Sequence, residues 1–200
     1  MTSRKAALFF GILCSFLITS NSVFATSEKV AKAQTETAVL AGGCFWGMQN
    51  VLRKVPGVVA SRVGYTGGDV ANPTYEQSST GKTGHAESIE VKFDPKKLSY
   101  EDLLKYFFRM HNPTTVDRQG NDVGSQYRSE IFYQNDTQKN TALRVKELVE
   151  KSGKWGKPIV TRIEHAGTFY PAEEYHQDYL VKHPDGYNDH YLRDFTFDRK

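Results

Sequence analysis

Residues 38–57 read Ala-Val-Leu-Ala-Gly-Gly-Cys-Phe-Trp-Gly-Met-Gln-Asn-Val-Leu-Arg-Lys-Val-Pro-Gly, and the spacing of their apolar side chains changes at the first glycine pair. The short apolar run 38–41 predicts a strand that stops at Gly42-Gly43. Over 44–55 the apolar residues recur at helical spacing, and Pro56-Gly57 ends the pattern. The segment therefore predicts a strand, a tight turn and a helix whose first residue is a cysteine.

Further along the chain, alternating apolar residues predict strands over 58–65 and 86–93, separated by a loop-like stretch over 70–84. Ser99 is a candidate N-cap, with Asp102 three residues on, for a helix that ends before Pro113. The remaining predicted elements are a polar loop over 114–128, a strand over 131–133, an amphipathic helix over 137–151, a strand over 159–165 and a helix over 171–181.

The order of these elements is strand-helix-strand-strand-helix-strand, with one helix added near the end, and it is typical of an α+β fold. The prediction is a ferredoxin-like, split βαβ arrangement in two layers. It has a mostly antiparallel sheet with helices on one face, elaborated by loops and a C-terminal extension. The order of elements does not by itself indicate a function.

Residues 1–25 have the features of a signal peptide. Arg4 and Lys5 precede an apolar run over 6–18, and Val23-Phe24-Ala25 fits the small-x-small rule for cleavage. The apolar run is shorter than the about 20 residues that a membrane-spanning helix needs, so an uncleaved anchor is the less favoured alternative. We therefore predict export, with the periplasm as the destination and secretion as the alternative. No stable membrane insertion is expected after cleavage.

The stretch 26–37 is polar and rich in Lys, Glu, Ala and Thr, which predicts a flexible leader before a single catalytic domain over 38–200. Cleavage of the signal removes two positive charges and no negative one from a formal net charge of +3, which leaves +1. A nearly neutral domain argues against a nucleic-acid-binding surface.

Cys44 is the one cysteine expected after cleavage, because Cys14 lies within the signal. An exported chain with a single thiol has no internal disulfide, and an unpaired thiol in an oxidising compartment indicates a chemical role. At the start of a helix the backbone N–H groups favour an anion, which predicts a thiol pKa below its usual value of about 8.5. The structural alternative is a buried cysteine that only fills the core.

Four further blocks follow the Gly-Gly-Cys-Phe-Trp-Gly segment in order. They are Gly-Tyr-Thr-Gly-Gly (64–68), Asn-Pro-Thr-Tyr-Glu (72–76), Gly-His-Ala-Glu (84–87) and Gln-Gly-Asn-Asp-Val-Gly-Ser-Gln-Tyr-Arg-Ser (119–129). Together the five blocks resemble the peptide methionine sulfoxide reductase A family from about Val39 to Ile131, and more weakly to about Tyr191. The resemblance implies an elaborated ferredoxin-like fold. It also implies a thiol-dependent reductase of methionine S-sulfoxide, protein-bound and free.

The resemblance further implies a role for each of seven residues around the sulfoxide. Cys44 is the nucleophile that becomes a sulfenic acid, Glu87 the proton donor, Phe45 and Trp46 the pocket for the methyl group, Tyr75 and Tyr127 the donors to the oxygen, and Asp122 part of the polar network. These residue types suit the chemistry. A sulfoxide oxygen leaves only when protonated, which needs a general acid, and desolvation beside aromatic rings raises the pKa of a carboxyl. Tyrosine hydroxyls stabilise charge that develops on oxygen.

Structural alternatives remain open for several of these residues. Tyr75 could be a packing residue, Glu87 a solvated carboxylate or the salt-bridge partner of a lysine, and Asp122 an Asx-turn former in a Gly-rich loop. His85 is interpreted as structural, because the family motif places proton transfer on the glutamate two residues later.

The sequence departs from the family pattern at three places. Many relatives have a glutamate at Gln49 and an aspartate at Asn112, and we expect both changes to affect only the supporting polar network. Numerous members carry resolving cysteines near the C-terminus, whereas the tail 189–200 has none. A sulfenic acid on Cys44 must then be reduced from outside. We expect no bound cofactor, and reduction by a thioredoxin-like protein in the cell or by dithiothreitol in the tube.

Other functions are less favoured by the sequence. A cysteine hydrolase needs a histidine held against the thiol, and no sequence signature indicates one. The six histidines show no metal-ligand spacing, so no metal is expected. A non-catalytic domain could bind methionine-rich surfaces through Phe45 and Trp46, and its binding would survive the loss of Cys44. The favoured interpretation is a monomer that acts on oxidised proteins or peptides.

Overall fold

The computed structural model describes residues 34–197. Its strands are β1 (Glu36–Gly42), β2 (Val58–Thr66), β3 (Ala86–Phe93), β4 (Arg118–Gln119), β5 (Asp122–Val123), β6 (Ser129–Tyr133), β7 (Arg162–His165) and β8 (Tyr170–Pro171). Its helices are α1 (Phe45–Leu52), α2 (Tyr75–Ser79), α3 (Tyr100–Met110), α4 (Asp136–Ser152) and α5 (Tyr179–Lys182).

Six of these strands form a mixed sheet in the order β7-β6-β1-β3-β2-β8, while β4 and β5 form a separate hairpin. Strand β3 lies between β1 and β2 and is antiparallel to both. Strand β6 pairs antiparallel with the other side of β1, and β7 is parallel to β6, with α4 connecting them. This is the ferredoxin-like, split βαβ arrangement with one added strand at each edge, and the predicted α+β fold is confirmed.

Alternate residues of β1 face two different layers. Ala38 and Leu40 belong to the main core, whereas Val39 and Ala41 pack in a smaller apolar cluster with Phe132. Helices α1, α3 and α4 all contribute buried side chains to the main core. Because successive side chains of a strand point to opposite faces, this division places the three helices on one face of the sheet, as predicted.

Side-chain caps define the ends of two long helices. Ser99 accepts a hydrogen bond from the backbone N–H of Asp102 at 3.0 Å, which confirms the predicted N-cap of α3. Asn135 caps α4 in the same way, by accepting from the N–H of Gln138 at 2.9 Å. At the other end of α4, Gly153 adopts the left-handed φ of +65° that terminates many helices.

Several element boundaries differ from the sequence-based prediction. β1 begins at Glu36, so the end of the predicted leader pairs in the sheet. Helix α2 forms within the stretch predicted as a loop, because Thr74 and Gln77 make a reciprocal capping box. β7 begins at Arg162, three residues later than predicted, and the β4–β5 hairpin lies within the predicted polar loop 114–128.

The predicted helix over 171–181 is wrong. Its first residue belongs to β8, which pairs with β2, and only four residues form α5. Between them, the side-chain amide of Gln177 bonds both the N–H and the carbonyl of Val63 at 2.9 Å. Asp178 then adopts a left-handed φ of +51°, which a continuous helix does not allow. Hydrogen bonds to the edge of the sheet therefore hold this segment in a non-helical conformation.

The predicted signal peptide 1–25 and most of the predicted leader 26–37 lie outside the described residues, and both stay predictions. Among residues 34–197, no helix combines the length and the apolar character that crossing a bilayer requires.

We predict that Leu103→Ala destabilises the protein by about 2–5 kcal/mol, because this leucine of α3 is 0% exposed and its loss leaves a cavity against the sheet. The matched control is Leu143→Ala on α4, where the leucine is 48% exposed and the expected change is within about 0.5 kcal/mol. Urea unfolding of both variants measures the difference. Equal effects of the two substitutions would contradict the described core.

Candidate active site

Cys44 is the N-cap residue of α1, in the turn that follows β1. Two glycines allow this turn. Gly43 has a φ of +107°, and a Cβ on it would lie 2.4 Å from Cγ of Gln119. A Cβ on Gly42 would meet the ring of His111 at 3.0 Å. The glycine pair therefore brings the cysteine to the N-terminus of α1 along a path that larger residues could not follow.

The Cys44 thiol is buried, with the residue 8% exposed. Burial, followed by the negative charge of Glu87, raises the pKa of this thiol far above its usual range. The backbone N–H of Trp46 bonds the sulfur and acts in the opposite direction, but it only partly offsets the loss of hydration. The predicted fall in thiol pKa is therefore wrong, and the free protein holds a neutral thiol.

Glu87 lies on β3 opposite Tyr65 of β2, and therefore on the sheet face that carries α1. The residue is 3% exposed, and its Oε2 accepts a hydrogen bond from the backbone N–H of Phe45 at 3.1 Å. Burial raises the pKa of Glu87 to about 8, although this hydrogen bond favours the ionised form. No cation among the described residues contributes to its pKa. Glu87 is thus a neutral acid at neutral pH, and the alternative of a solvated or lysine-paired carboxylate does not apply.

The structure brings Tyr75, Tyr127 and Asp122 into the surroundings of Cys44 and Glu87. Burial raises the pKa of both tyrosines, and the negative charges of the other three groups raise it further. Burial also raises the pKa of Asp122. The influence of one charge on another falls with distance, so each of these groups lies within electrostatic range of the others. The five groups therefore share one site.

Phe45 and Trp46 occupy different surroundings. The ring of Phe45 is fully buried and lies 5.8 Å from that of Tyr65 in the core. Trp46 is half-buried, stacks on Tyr179 with ring centroids 3.7 Å apart, and donates from Nε1 to Nδ1 of His176 at 3.0 Å. Trp46 is therefore partly accessible at the start of α1, whereas the ring of Phe45 belongs to the core.

Residues 187–190 complete one side of the site, and the sequence-based prediction missed them. The hydroxyl of Tyr187 donates to Oδ2 of Asp122 at 3.2 Å, and Nε2 of His190 lies 2.8 Å from the carbonyl oxygen of Gly42. The C-terminal segment therefore packs against the same turn that positions the cysteine.

Gly47 carries the sequence signal that could have revealed this packing. A Cβ on Gly47 would lie 2.5 Å from Nδ1 of His190 and 2.7 Å from Oδ1 of Asn188. A glycine within a helical pattern is costly unless another part of the chain approaches the helix closely. The sequence shows that something approaches here, but not which segment it is.

Gln49 and Asn112, the two substituted positions of the family pattern, hold loops through their side-chain amides. Oε1 of Gln49 accepts from the backbone N–H of Asp178 at 2.8 Å, and its Nε2 donates to Ser61 on β2 at 3.4 Å. Oδ1 of Asn112 accepts from the N–H and the hydroxyl of Thr114 at 3.0 and 2.7 Å. Each amide therefore holds backbone around the site, in agreement with a supporting role.

His85 is structural, as the sequence-based interpretation holds. It is buried, its Nδ1 accepts from the N–H of Gly68 at 3.1 Å, and its Nε2 lies 2.7 Å from the carbonyl oxygen of Val70. Both ring nitrogens are therefore used in holding a loop. In the part of the chain that the structure describes, no group of three His, Cys, Asp or Glu residues could hold a metal ion.

Comparison with known proteins identifies the family to which the chain belongs. The family model for peptide methionine sulfoxide reductase matches residues 36–198. The chain is 54% identical over 159 residues to the peptide methionine sulfoxide reductase MsrA of Mycolicibacterium paratuberculosis, which covers 80% of this chain and 91% of that protein. It is 55% identical over 159 residues to MsrA 1 of Mesorhizobium japonicum, with 80% and 90% covered. The chain belongs to the peptide methionine sulfoxide reductase family.

Solved structures of the same family agree with the fold. Mxr1 from Saccharomyces cerevisiae in reduced form has a TM-score of 0.77 and 40% identity, covering 82% of this chain and 95% of that one. Mxr1 in complex with Trx2 has a TM-score of 0.56 and 29% identity, covering 83% and 97%. As a member of the family, the chain is a peptide-methionine (S)-S-oxide reductase. The alternatives of a cysteine hydrolase and of a non-catalytic binding domain are therefore excluded.

The raised pKa of Glu87 predicts that this reductase loses stability as pH rises. Between the unfolded pKa of about 4.5 and the folded pKa of about 8, the folded protein retains a proton that the unfolded chain has released. A glutamine cannot ionise, so the stability of Glu87→Gln relative to the unsubstituted protein should rise over this pH range by a few kcal/mol. Denaturant unfolding across that range measures the difference.

The matched control is Glu90→Gln on the same strand, where the carboxylate pairs with the largely exposed Arg62. Its stability difference should change little over the same pH range. A Glu87→Gln difference that does not vary with pH would mean that Glu87 is ionised in the folded protein.

Proposed function

We propose that this reductase transfers the oxygen of methionine S-sulfoxide, in proteins and as the free amino acid, to the sulfur of Cys44. The Cys44 sulfur attacks the sulfoxide sulfur and forms a sulfur–sulfur bond with it. The oxygen then bonds to the Cys44 sulfur while the sulfur–sulfur bond and the sulfur–oxygen bond of the substrate break, and Cys44 becomes a sulfenic acid. The methionine sulfur gains two electrons and the cysteine sulfur loses two. The thiol and the sulfoxide thus become a sulfenic acid and a thioether.

The observation that carries this mechanism is the buried Glu87 carboxyl, held by the N–H of the residue that follows the nucleophile. An acid with a pKa of about 8 is protonated at neutral pH, and it can therefore donate to the sulfoxide oxygen. A carboxyl with an ordinary pKa would be ionised and would repel the developing charge. Burial on β3 thus supplies the acid that the leaving oxygen needs.

The same site accounts for the thiol proton. Because burial keeps the pKa of Cys44 high, the proton must leave as the sulfur attacks. Once Glu87 has protonated the oxygen, it is a carboxylate at the start of α1 and can take up the thiol proton. This exchange regenerates the carboxylic acid of Glu87. The transferred oxygen keeps the proton that it received and becomes the hydroxyl of the sulfenic acid.

Tyr75 and Tyr127 fit the role of donors to the sulfoxide oxygen. Both hydroxyls have a raised pKa, so they stay protonated, and both feel the charges of Cys44 and Glu87. Asp122 supports this side of the site through its bond with Tyr187. The partly accessible indole of Trp46, together with the ring of Phe45, fits the role of the apolar surface for the methyl group of the substrate.

Recycling of Cys44 is proposed to depend on an external dithiol protein of the thioredoxin type. A thiol of this partner attacks the sulfenic sulfur, water leaves and a mixed disulfide forms. The second thiol of the partner then releases Cys44 and carries away the disulfide. The absence of another cysteine over 45–200 supports this route, since no resolving cysteine is available there. The complex of the similar Mxr1 with Trx2 supports it further.

Export to the periplasm, with repair of oxidised exported proteins, is proposed from the sequence of residues 1–25 alone. Expression of the full chain in a bacterium, followed by fractionation and N-terminal sequencing, tests it. We expect a periplasmic protein that begins at Thr26. A cytosolic protein that retains Arg4 and Lys5 would contradict export and leave the chemistry of the site unaffected.

The reductase activity is tested with dithiothreitol and the separate S and R epimers of a peptidyl methionine sulfoxide. We expect turnover of the S epimer only, none in Cys44→Ser, and a loss of about 10²–10⁴-fold in Glu87→Gln. Glu90→Gln, on the same strand but paired with Arg62 away from the thiol, should keep its activity. Turnover by Cys44→Ser, or equal turnover of both epimers, would contradict the proposal.

Omission of the reductant isolates the first half of the cycle. We expect one methionine per protein molecule and a monomer that is heavier by one oxygen atom. Rapid formation of a covalent dimer would contradict recycling by an external dithiol, because Cys44 would then be resolved by a second copy of the chain.

A further inference from the structure

His176 lies at the centre of the aromatic side of the site, between β8 and α5. Its ring centroid is 5.1 Å from that of Phe45, 5.6 Å from that of Trp46 and 4.6 Å from that of Tyr75. The residue is 1% exposed. A single buried imidazole therefore contacts both residues of the methyl pocket and one of the two tyrosines that face the oxygen.

The backbone around His176 is held firmly to the sheet. The side chain of the next residue, Gln177, bonds both backbone groups of Val63 and the carbonyl of Ala172, each at 2.9 Å. The N–H of His176 itself bonds the carbonyl of Glu173 at 2.9 Å. The imidazole is therefore presented from a fixed turn, as a positioning residue requires.

The hydrogen bond to Trp46 defines which ring nitrogen of His176 carries the proton. The indole Nε1–H can only donate, so Nδ1 of His176 must be the acceptor, and the proton of the neutral ring lies on Nε2. This Nε2 is buried without a hydrogen-bond partner among the described residues, and it lies 4.0 Å from Oε2 of Glu173. Burial also lowers the pKa of His176, which favours the neutral ring.

Glu173 connects the imidazole to the tyrosine side of the site. Its Oε2 accepts from the hydroxyl of Tyr65 at 3.1 Å, and its Oε1 accepts from the backbone N–H of Tyr75 at 2.9 Å. The turn that contains Glu173 and His176 therefore bonds Trp46 through His176 and Tyr75 through Glu173.

We propose that His176 is a positioning residue, which holds the Trp46 indole against Tyr179 through Nδ1 and so fixes the wall that receives the sulfoxide methyl group. Without the acceptor, the indole N–H would lose its partner and Trp46 could leave its stacked position. The proposal rests on the proposed function, because it assumes that Trp46 binds the methyl group. His176 itself donates no proton to the substrate.

Two variants and a matched control separate this role from simple packing. His176→Phe keeps a ring but removes the acceptor, and we expect kcat/KM for the S-sulfoxide peptide to fall about tenfold, mainly through a higher KM. His176→Asn restores an acceptor near the position of Nδ1 and should recover activity to within about threefold of the unsubstituted protein. The control His165→Phe changes an exposed histidine of β7, at the opposite edge of the sheet, and should have no effect.

A double-mutant cycle provides the decisive kinetic comparison. Trp46→Phe removes the indole N–H, so adding His176→Phe to it should lower kcat/KM no further. Multiplicative losses in the double variant would show that His176 does not act through Trp46, and would overturn the proposal. An unrescued His176→Asn variant with an unchanged unfolding midpoint would overturn it as well.

Nitrogen-15 NMR of the unsubstituted full chain tests the same contact without a change at His176 or Trp46 and without turnover. We expect Nδ1 of His176 to be unprotonated and the indole N–H of Trp46 to be protected from exchange. Trp155, whose Nε1 has no partner among the described residues, identifies the second indole signal by its loss in Trp155→Phe. A proton on Nδ1 would overturn the proposal. This result would stand even if the protein failed to reduce sulfoxides.

Discussion

The hydrogen bond from the N–H of Phe45 to the carboxyl of Glu87 ties the first turn of α1 to the middle of the sheet. Burial at this point disfavours the carboxylate and also disfavours the thiolate of Cys44 next to it. The carboxyl and the thiol are therefore both neutral in the free protein. In the proposed reaction the carboxyl proton moves to the sulfoxide oxygen as the sulfur attacks, which links proton transfer to that attack.

The proposed nucleophile and acid, Cys44 and Glu87, come from the N-terminal half of the described chain, but the C-terminal third encloses them. Residues 187–190 pack over the start of α1, and the turn that carries His176 holds the indole of Trp46. Both contacts join residues more than a hundred positions apart in the sequence. The pairing of the last strand, β8, with the edge of β2 therefore places the turn that carries His176 beside the site.

Periodicity predicted strands β1, β2, β3, β6 and β7, helices α1, α3 and α4, and the split βαβ order, because each depends on local spacing of apolar residues. The helix over 171–181 could not be excluded in this way, since the capture of Gln177 by Val63 is a long-range contact. The motif blocks indicated which side chains form the site. The sign of the thiol pKa shift required the structure, because a helix terminus is visible in sequence whereas desolvation depends on what the fold places around it.

The protonation state of Glu87 in the folded reductase is measured most directly by carbon-13 NMR of the labelled carboxyl across pH, with Glu87→Gln to assign the signal. The structure predicts a carboxylic acid at neutral pH that ionises near pH 8. A Glu87 signal already ionised at about pH 5, as in an ordinary exposed glutamate, would contradict the stored acid on which the proposed chemistry depends.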